Sequence, residues 1–270
     1  MSSITTDQGI LHYEVYGRGR PVILLHGWLG SWGLWQETMT FLGQYYRTYA
    51  LDFWGFGESG TKRNTYNVQD FISLVAQFMD QLGILSAPLI GHSMGGTVSL
   101  SVAIQYPHLA QKVVVIGSPI AGSSLALPLK FAGYRPIAWL LFTFFPLFRA
   151  AMRIASPTIC KDPRFPDMMD RDLSQTTLES FLISIATLRR TDLRPRLNEI
   201  RIPVMGMYGD RDNIVHPRQW EPLKKGVPHA RIERFPRAGH FIMLDEPKEC
   251  MSKIKEFLDA PAEPIPPAES

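Results

Sequence analysis

An α/β fold built on a mostly parallel central sheet follows from three features of the sequence. Short apolar runs end repeatedly in glycine, helical spacing fills the gaps between them, and the strand signal returns after a long strand-free insertion. Runs that are apolar on both faces mark strands buried in a parallel sheet. Strand–helix alternation then places helices on both sides of that sheet through right-handed crossovers.

Val22-Ile-Leu-Leu25, closing at His26-Gly27, predicts the first buried strand. Tyr49-Ala-Leu51 before Asp52, Leu89-Ile90 before Gly91, and Val113-Val-Val-Ile116 before Gly117 predict three more. Between them Val68, Phe71, Ile72, Val75, Phe78, Met79 and Leu82 keep helical spacing, which predicts an amphipathic helix over 67–82. A second helix starts after Gly95-Gly96 and runs to Gln105, stopped near Pro107. After Ser118-Pro119 the rhythm breaks: 123–195 holds aromatic-rich helical stretches punctuated by proline and no clear strand. Pro203 to Tyr208 and Arg231 to Phe235 resume the strand pattern, and Lys248 to Leu258 reads as a closing helix. The expected organisation is a core of 1–122 and 196–259, an inserted helical cap of 123–195, and a Pro-rich tail of 260–270 expected to be disordered.

Composition excludes several classes. The chain has 270 residues, 45% hydrophobic and 20% charged, which is an ordinary globular mix. Its 28 basic and 25 acidic residues leave +3, too weak a field to recruit nucleic acid. Cys160 and Cys250 fit neither a disulfide framework nor a zinc spacing, and no metal or cofactor is expected. Reduced thiols and an amino terminus with no signal-peptide pattern suggest a cytoplasmic protein. The most apolar stretch, Ile137 to Phe148, is 12 residues long and interrupted by Pro146, against about 20 apolar residues for a membrane-spanning helix.

Chemistry enters at Gly91-His-Ser93-Met-Gly95, a G-x-S-x-G pattern between a strand and a helix. The bare pattern arises by chance in about one such sequence in ten, but its strand–turn–helix setting is what a nucleophile elbow requires. A serine hydroxyl is a poor nucleophile until a histidine takes its proton and an acid holds that histidine. His240, which follows the last strand and precedes the closing helix, is the candidate base. His92 adjoins the serine, with its side chain expected to leave the elbow in another direction. The loop Tyr208-Gly-Asp210-Arg-Asp212 offers two carboxylates that composition does not separate, and either satisfies the order Ser–Asp–His.

Four blocks together resemble the α/β-hydrolase superfamily, in its capped esterase- and lipase-like branch. They are His26-Gly27-Trp28, Asp52-Phe-Trp-Gly-Phe-Gly57-Glu-Ser59, Gly91 to Gly96, and Gly209-Asp-Arg-Asp212 with Gly239-His240. The resemblance implies Ser93 as nucleophile, His240 as base and Asp212 as the orienting acid. It also implies an oxyanion hole made by the backbone N–H groups of Trp28 and Met94. The Asp52 block is read as loop-organising. Relatives that attack alkyl carbon carry aspartate where Ser93 stands, so acyl transfer to water is the expected chemistry.

The candidate pocket residues are His26, Trp139, Phe142, Phe145 and Phe241, with loop shaping as the competing role of His26. Between Leu125 and Ala155 lie four basic residues and no acidic one. Two readings follow for this segment: aromatics packed over an apolar pocket, or a cationic, apolar face for a membrane interface. The favoured partner is a small lipophilic ester, with oligomeric state left open. The competing functions are C–C bond hydrolysis of a dienoate, cofactor-free haloperoxidase or perhydrolase activity, and a small-molecule receptor that keeps the triad.

Overall fold

The computed structural model describes residues 2–60 and 66–261. Of the tail expected to be disordered, 262–270 lies outside the described residues. Eight strands form one sheet: β1 (Ser2–Thr5), β2 (Ile10–Gly17), β3 (Pro21–Leu25), β4 (Arg47–Leu51), β5 (Ala87–His92), β6 (Ala110–Ile116), β7 (Val204–Gly209) and β8 (Arg231–Phe235). Their order is β1-β2-β4-β3-β5-β6-β7-β8. β1, β2 and β4 pair antiparallel, and every pair from β4 to β8 is parallel.

Alternation along β3 explains the two layers of core. Ile23 and Leu25 pack on one side with Phe71, Val75 and Val98, while Val22 and Leu24 pack on the other with Trp35, Met205 and Ile254. Successive side chains of a strand point to opposite faces, so an apolar run without alternation must be covered twice. Helices α1 (Gln36–Leu42), α2 (Val68–Gln81) and α3 (Met94–Gln105) follow in chain order, α1 covering the second face and the other two the first. α2 starts at a reciprocal cap, in which the Asn67 side chain accepts from the Asp70 N–H and the Asp70 carboxylate accepts from the Asn67 N–H.

Between β6 and β7 the chain inserts α4 (Leu127–Ala132), α5 (Arg135–Thr143), α6 (Phe145–Ala155), α7 (Phe165–Ser174) and α8 (Leu178–Arg190). The two ends of this insertion are tied together: Ala121 bridges Asp192, and the Leu193 N–H donates to the Ile120 carbonyl at 3.0 Å. The chain closes with α9 (Trp220–Gly226), α10 (Ile242–Asp245) and α11 (Pro247–Asp259). Among the described residues no single helix is long and apolar enough to cross a membrane.

Strand order reverses at β3, whose neighbours are β4 on one side and β5 on the other. Loops leaving the carboxyl ends of β3 and β5 therefore diverge and leave a crevice, the usual place for a ligand in an open α/β sheet. His26-Gly27-Trp28 leaves β3 there, and Ser93 leaves β5.

Candidate active site

The turn after β5 is shaped by its glycines. Ser93 has φ 52° and ψ −117°, a left-handed backbone that side-chain-bearing residues rarely adopt. A Cβ at Gly91 would stand 2.2 Å from the Gly95 carbonyl oxygen, and one at Gly95 would stand 2.2 Å from that of Leu25. Both obstacles are backbone and cannot swing away. Gly95→Ala is thus expected to cost about 3 kcal/mol in urea unfolding. Gly60→Ala, whose Cβ meets nothing among the described residues within 4 Å, should leave the midpoint nearly unchanged. Equal costs for the two would refute the close-approach argument.

His240 lies between β8 and α10, and Asp212 follows β7. Asp212 Oδ2 accepts from His240 Nδ1 at 2.7 Å, and Oδ1 accepts from the N–H groups of Ile214 and Val215, both at 2.9 Å. The carboxylate is thereby aimed, since one oxygen is held by backbone and the other faces the imidazole. Asp210 does something else: Arg234 donates to both its oxygens, at 3.0 and 2.9 Å, on the protein surface.

The loop after β3 packs against the elbow. A Cβ on Gly27 would lie 3.0 Å from Ser93 Cβ and 2.9 Å from His92 Nδ1, so only glycine admits this approach. Trp28 follows, its indole N–H donating to the Phe181 carbonyl at 3.3 Å, and Met94 opens α3 fully buried. His26 is also fully buried, but it braces loops. Its Nδ1–H donates to the Gly27 carbonyl and its Nε2 accepts from the Phe53 N–H at 2.9 Å. Asp52 has a comparable role: its carboxylate accepts from the N–H groups of Trp32 and Glu58 and from His12 Nδ1.

Ser93 and His240 open onto a cavity of about 110 Å³. Its wall is mostly Leu, Met and Phe, including Leu129 of α4, Met152 of α6, Met169 of α7 and Leu188 of α8. Of the candidate pocket residues, Phe241 lines this cavity, whereas His26, Trp139, Phe142 and Phe145 do not. Trp139 points outward at 62% exposure. Phe142 stacks on Phe145 at 5.0 Å and meets Phe181 edge-on, so these rings hold the inserted helices to one another. Sequence spacing marked the aromatics but not which face turns inward.

Two polar groups of the wall escaped the sequence reading. His92, expected to turn away, lines the cavity, packs its ring 4.6 Å from that of His240 and donates from Nε2 to the His240 carbonyl at 3.1 Å. Burial, with His240 beside it, holds its pKa well below the usual histidine range, so it stays neutral. Asp172 of α7 is 3% exposed and accepts from Ser31 Oγ at 2.9 Å, with Arg171 Nε at 3.5 Å. Burial pushes its carboxyl up to about 6, over the opposing pull of Ser31 and Arg171.

This carboxyl makes stability depend on pH with a definite sign. In the unfolded chain it ionises near 3.8, whereas in the native state it keeps its proton to about 6. Across that window the unfolded state binds fewer protons, so its contribution weakens folding as pH rises. The penalty grows to about 3 kcal/mol above pH 6. Asp172→Asn should therefore gain Tm relative to the wild type as pH climbs from 4 to 7. Parallel Tm–pH curves would show that the carboxylate is fully compensated in place.

A family model described as serine aminopeptidase, S33, matches residues 19–247. The chain belongs to that family. Within the α/β-hydrolase superfamily, this S33 chain has several curated relatives at low identity. It is 25% identical to a pimeloyl-[acyl-carrier protein] methyl ester esterase of Vibrio campbellii over 256 residues, 92% of this chain and 98% of that one. It is 27% identical to the 2-hydroxy-6-oxo-6-phenylhexa-2,4-dienoate hydrolase of Comamonas testosteroni over 268 residues, 92% and 91% of the two chains. The enol-lactonase from Burkholderia xenovorans LB400 superposes on the S33 fold with a TM-score of 0.83 at 19% identity, covering 96% of this chain and 100% of that one. Relatives of this S33 chain are thus named as hydrolases, esterases among them.

Proposed function

We propose that this protein hydrolyses carboxylic esters of uncharged, lipophilic substrates through an acyl-enzyme on Ser93. His240 Nε2 takes the hydroxyl proton as the oxygen attacks the ester carbonyl, while Asp212 holds the opposite nitrogen and stabilises the imidazolium that forms. Negative charge gathers on the carbonyl oxygen, where the backbone N–H groups of Trp28 and Met94 receive it. His240 then returns the proton to the departing alcohol, and water repeats the sequence to release the acid. The inserted helices, 123–195 with their flanks, act as the cap whose inner residues recognise the lipophilic group.

The observation that carries this reading is the wall of the cavity. It joins Ser93 and His240 to apolar side chains and, among the described residues, includes no lysine or arginine. A dienoate such as the one named for the Comamonas relative carries a carboxylate. An anion would enter this cavity unpaired and beside Asp172, at a large desolvation cost. Neutral esters incur no such cost.

The test is a series of p-nitrophenyl esters from acetate to palmitate. Each methylene that the cavity takes up is worth about 0.8 kcal/mol, so kcat/KM should rise about fourfold per methylene until the space is filled. Leu129→Ala and Met152→Ala should move the optimum chain length, because both side chains line the cavity. Acetate as the best substrate, with both variants leaving the profile unchanged, would overturn the lipophilic assignment. Ligand binding without any ester turnover would return the receptor reading.

A further inference from the structure

The outer face of the inserted helices differs from the rest of the described surface. Nine of the thirteen large apolar side chains exposed among the described residues lie between Leu127 and Ile154. Trp139 is 62% exposed, Leu147 69% and Ile154 81%. α5 buries only Ala138, and α6 buries no residue. These two helices meet at 94°, with their apolar content continuous across the bend. Apolar patches of this extent on a folded chain mark a surface that is covered in use.

Charge along α4, α5 and α6 is of one sign. From Leu125 to Lys161 the sequence has five cations and no carboxylate. Asp170 and Asp167 of α7 neutralise Arg149 and Arg153. Lys130, Arg135, Arg189 and Arg190 pair with no carboxylate among the described residues. Arg189 instead lies over the Tyr134 ring at 4.9 Å and donates to the Lys130 carbonyl, which keeps it beside the apolar patch.

We propose that this face docks on an anionic lipid bilayer. α5 and α6 lie in the interface, their exposed side chains enter the acyl boundary, and the four free cations meet lipid phosphates. Short helices with one apolar face and flanking cations take this place at a membrane surface. A second copy of the chain fits poorly, because a two-fold contact sets like cations against each other. The surface of an acidic soluble protein offers the cations a partner but offers nine apolar side chains no hydrocarbon phase. Docking here also sets the cavity beside the membrane, since Leu129 of α4 and Met152 of α6 line it from the inner faces of the same helices. The proposal does not rest on the ester chemistry, because docking requires no turnover.

The experiment is co-sedimentation of the full chain with vesicles of phosphatidylcholine, with and without phosphatidylglycerol. Strong association with the mixed vesicles is expected, weakened by salt and weaker on phosphatidylcholine alone. Leu140→Gln with Leu147→Gln should remove association with both kinds of vesicle. Lys130→Gln with Arg135→Gln should lower only the preference for the anionic kind, by roughly fivefold per cation. Circular dichroism and turnover of a soluble short-chain ester confirm that each variant is folded. No sedimentation with either vesicle overturns the proposal, as does equal sedimentation of wild type and the leucine variant. So does light scattering that shows a dimer lost in the leucine variant without vesicle association, or capture of an acidic carrier protein in place of lipid.

Discussion

Ser93→Ala is expected to lower kcat for a p-nitrophenyl ester by about 10⁴ or more, with the far-ultraviolet spectrum and Tm unchanged. The elbow offers no substitute nucleophile. Ser93 alone occupies the strained turn between β5 and α3, and Gly91 and Gly95, two positions away on either side, have no side chain. What activity remains is expected from substrate binding and from the proposed oxyanion donors. Steady-state kinetics on the purified variant check this. A rate within tenfold of wild type would mean that the ester is cleaved elsewhere.

Asp212→Asn is expected to cost about 10⁴ in kcat, against a small change for Asp210→Asn. The two residues lie two positions apart in one loop and differ in what holds them. Asp212 is fixed by two backbone N–H groups on one oxygen and reaches His240 with the other. An asparagine there can present its NH₂ to Nδ1, which selects the wrong tautomer of the imidazole and leaves Nε2 protonated. Asp210 serves a surface pair with Arg234, where one exposed ion pair is worth little. The reverse ranking of the two variants would transfer the acid to Asp210.

The parallel part of the sheet could be read from sequence because burial on both faces leaves an unmistakable apolar run. β1 and β2 could not, since β1 has no buried position, β2 buries only Leu11 and His12, and together they carry Ser, Thr, His, Glu and Tyr at the antiparallel edge. The G-x-S-x-G turn, His240 and the acid-bearing loop were legible because each sits where a strand ends. Choosing between Asp210 and Asp212 needed family resemblance; in the fold the two differ in their hydrogen-bond partners, Arg234 for one and His240 for the other. Asp172 left no signal at all. In α7 it stands among Asp167, Asp170 and Arg171 and reads as one more solvated charge, until tertiary packing seals it against Ser31. Trp139, Phe142 and Phe145 show the opposite failure, where spacing announced an apolar stripe and could not say that part of it faces outward.

The most direct test is to treat the native chain with a fluorophosphonate and locate the adduct by peptide mass spectrometry. This reagent phosphorylates a serine whose hydroxyl is activated by a neighbouring base, so it reads nucleophile and base in one step. The account predicts one modified peptide, the one containing Ser93, with modification abolished by prior unfolding and strongly slowed in Asp212→Asn. An adduct on another residue, or an unlabelled Ser93 in folded protein, would contradict it.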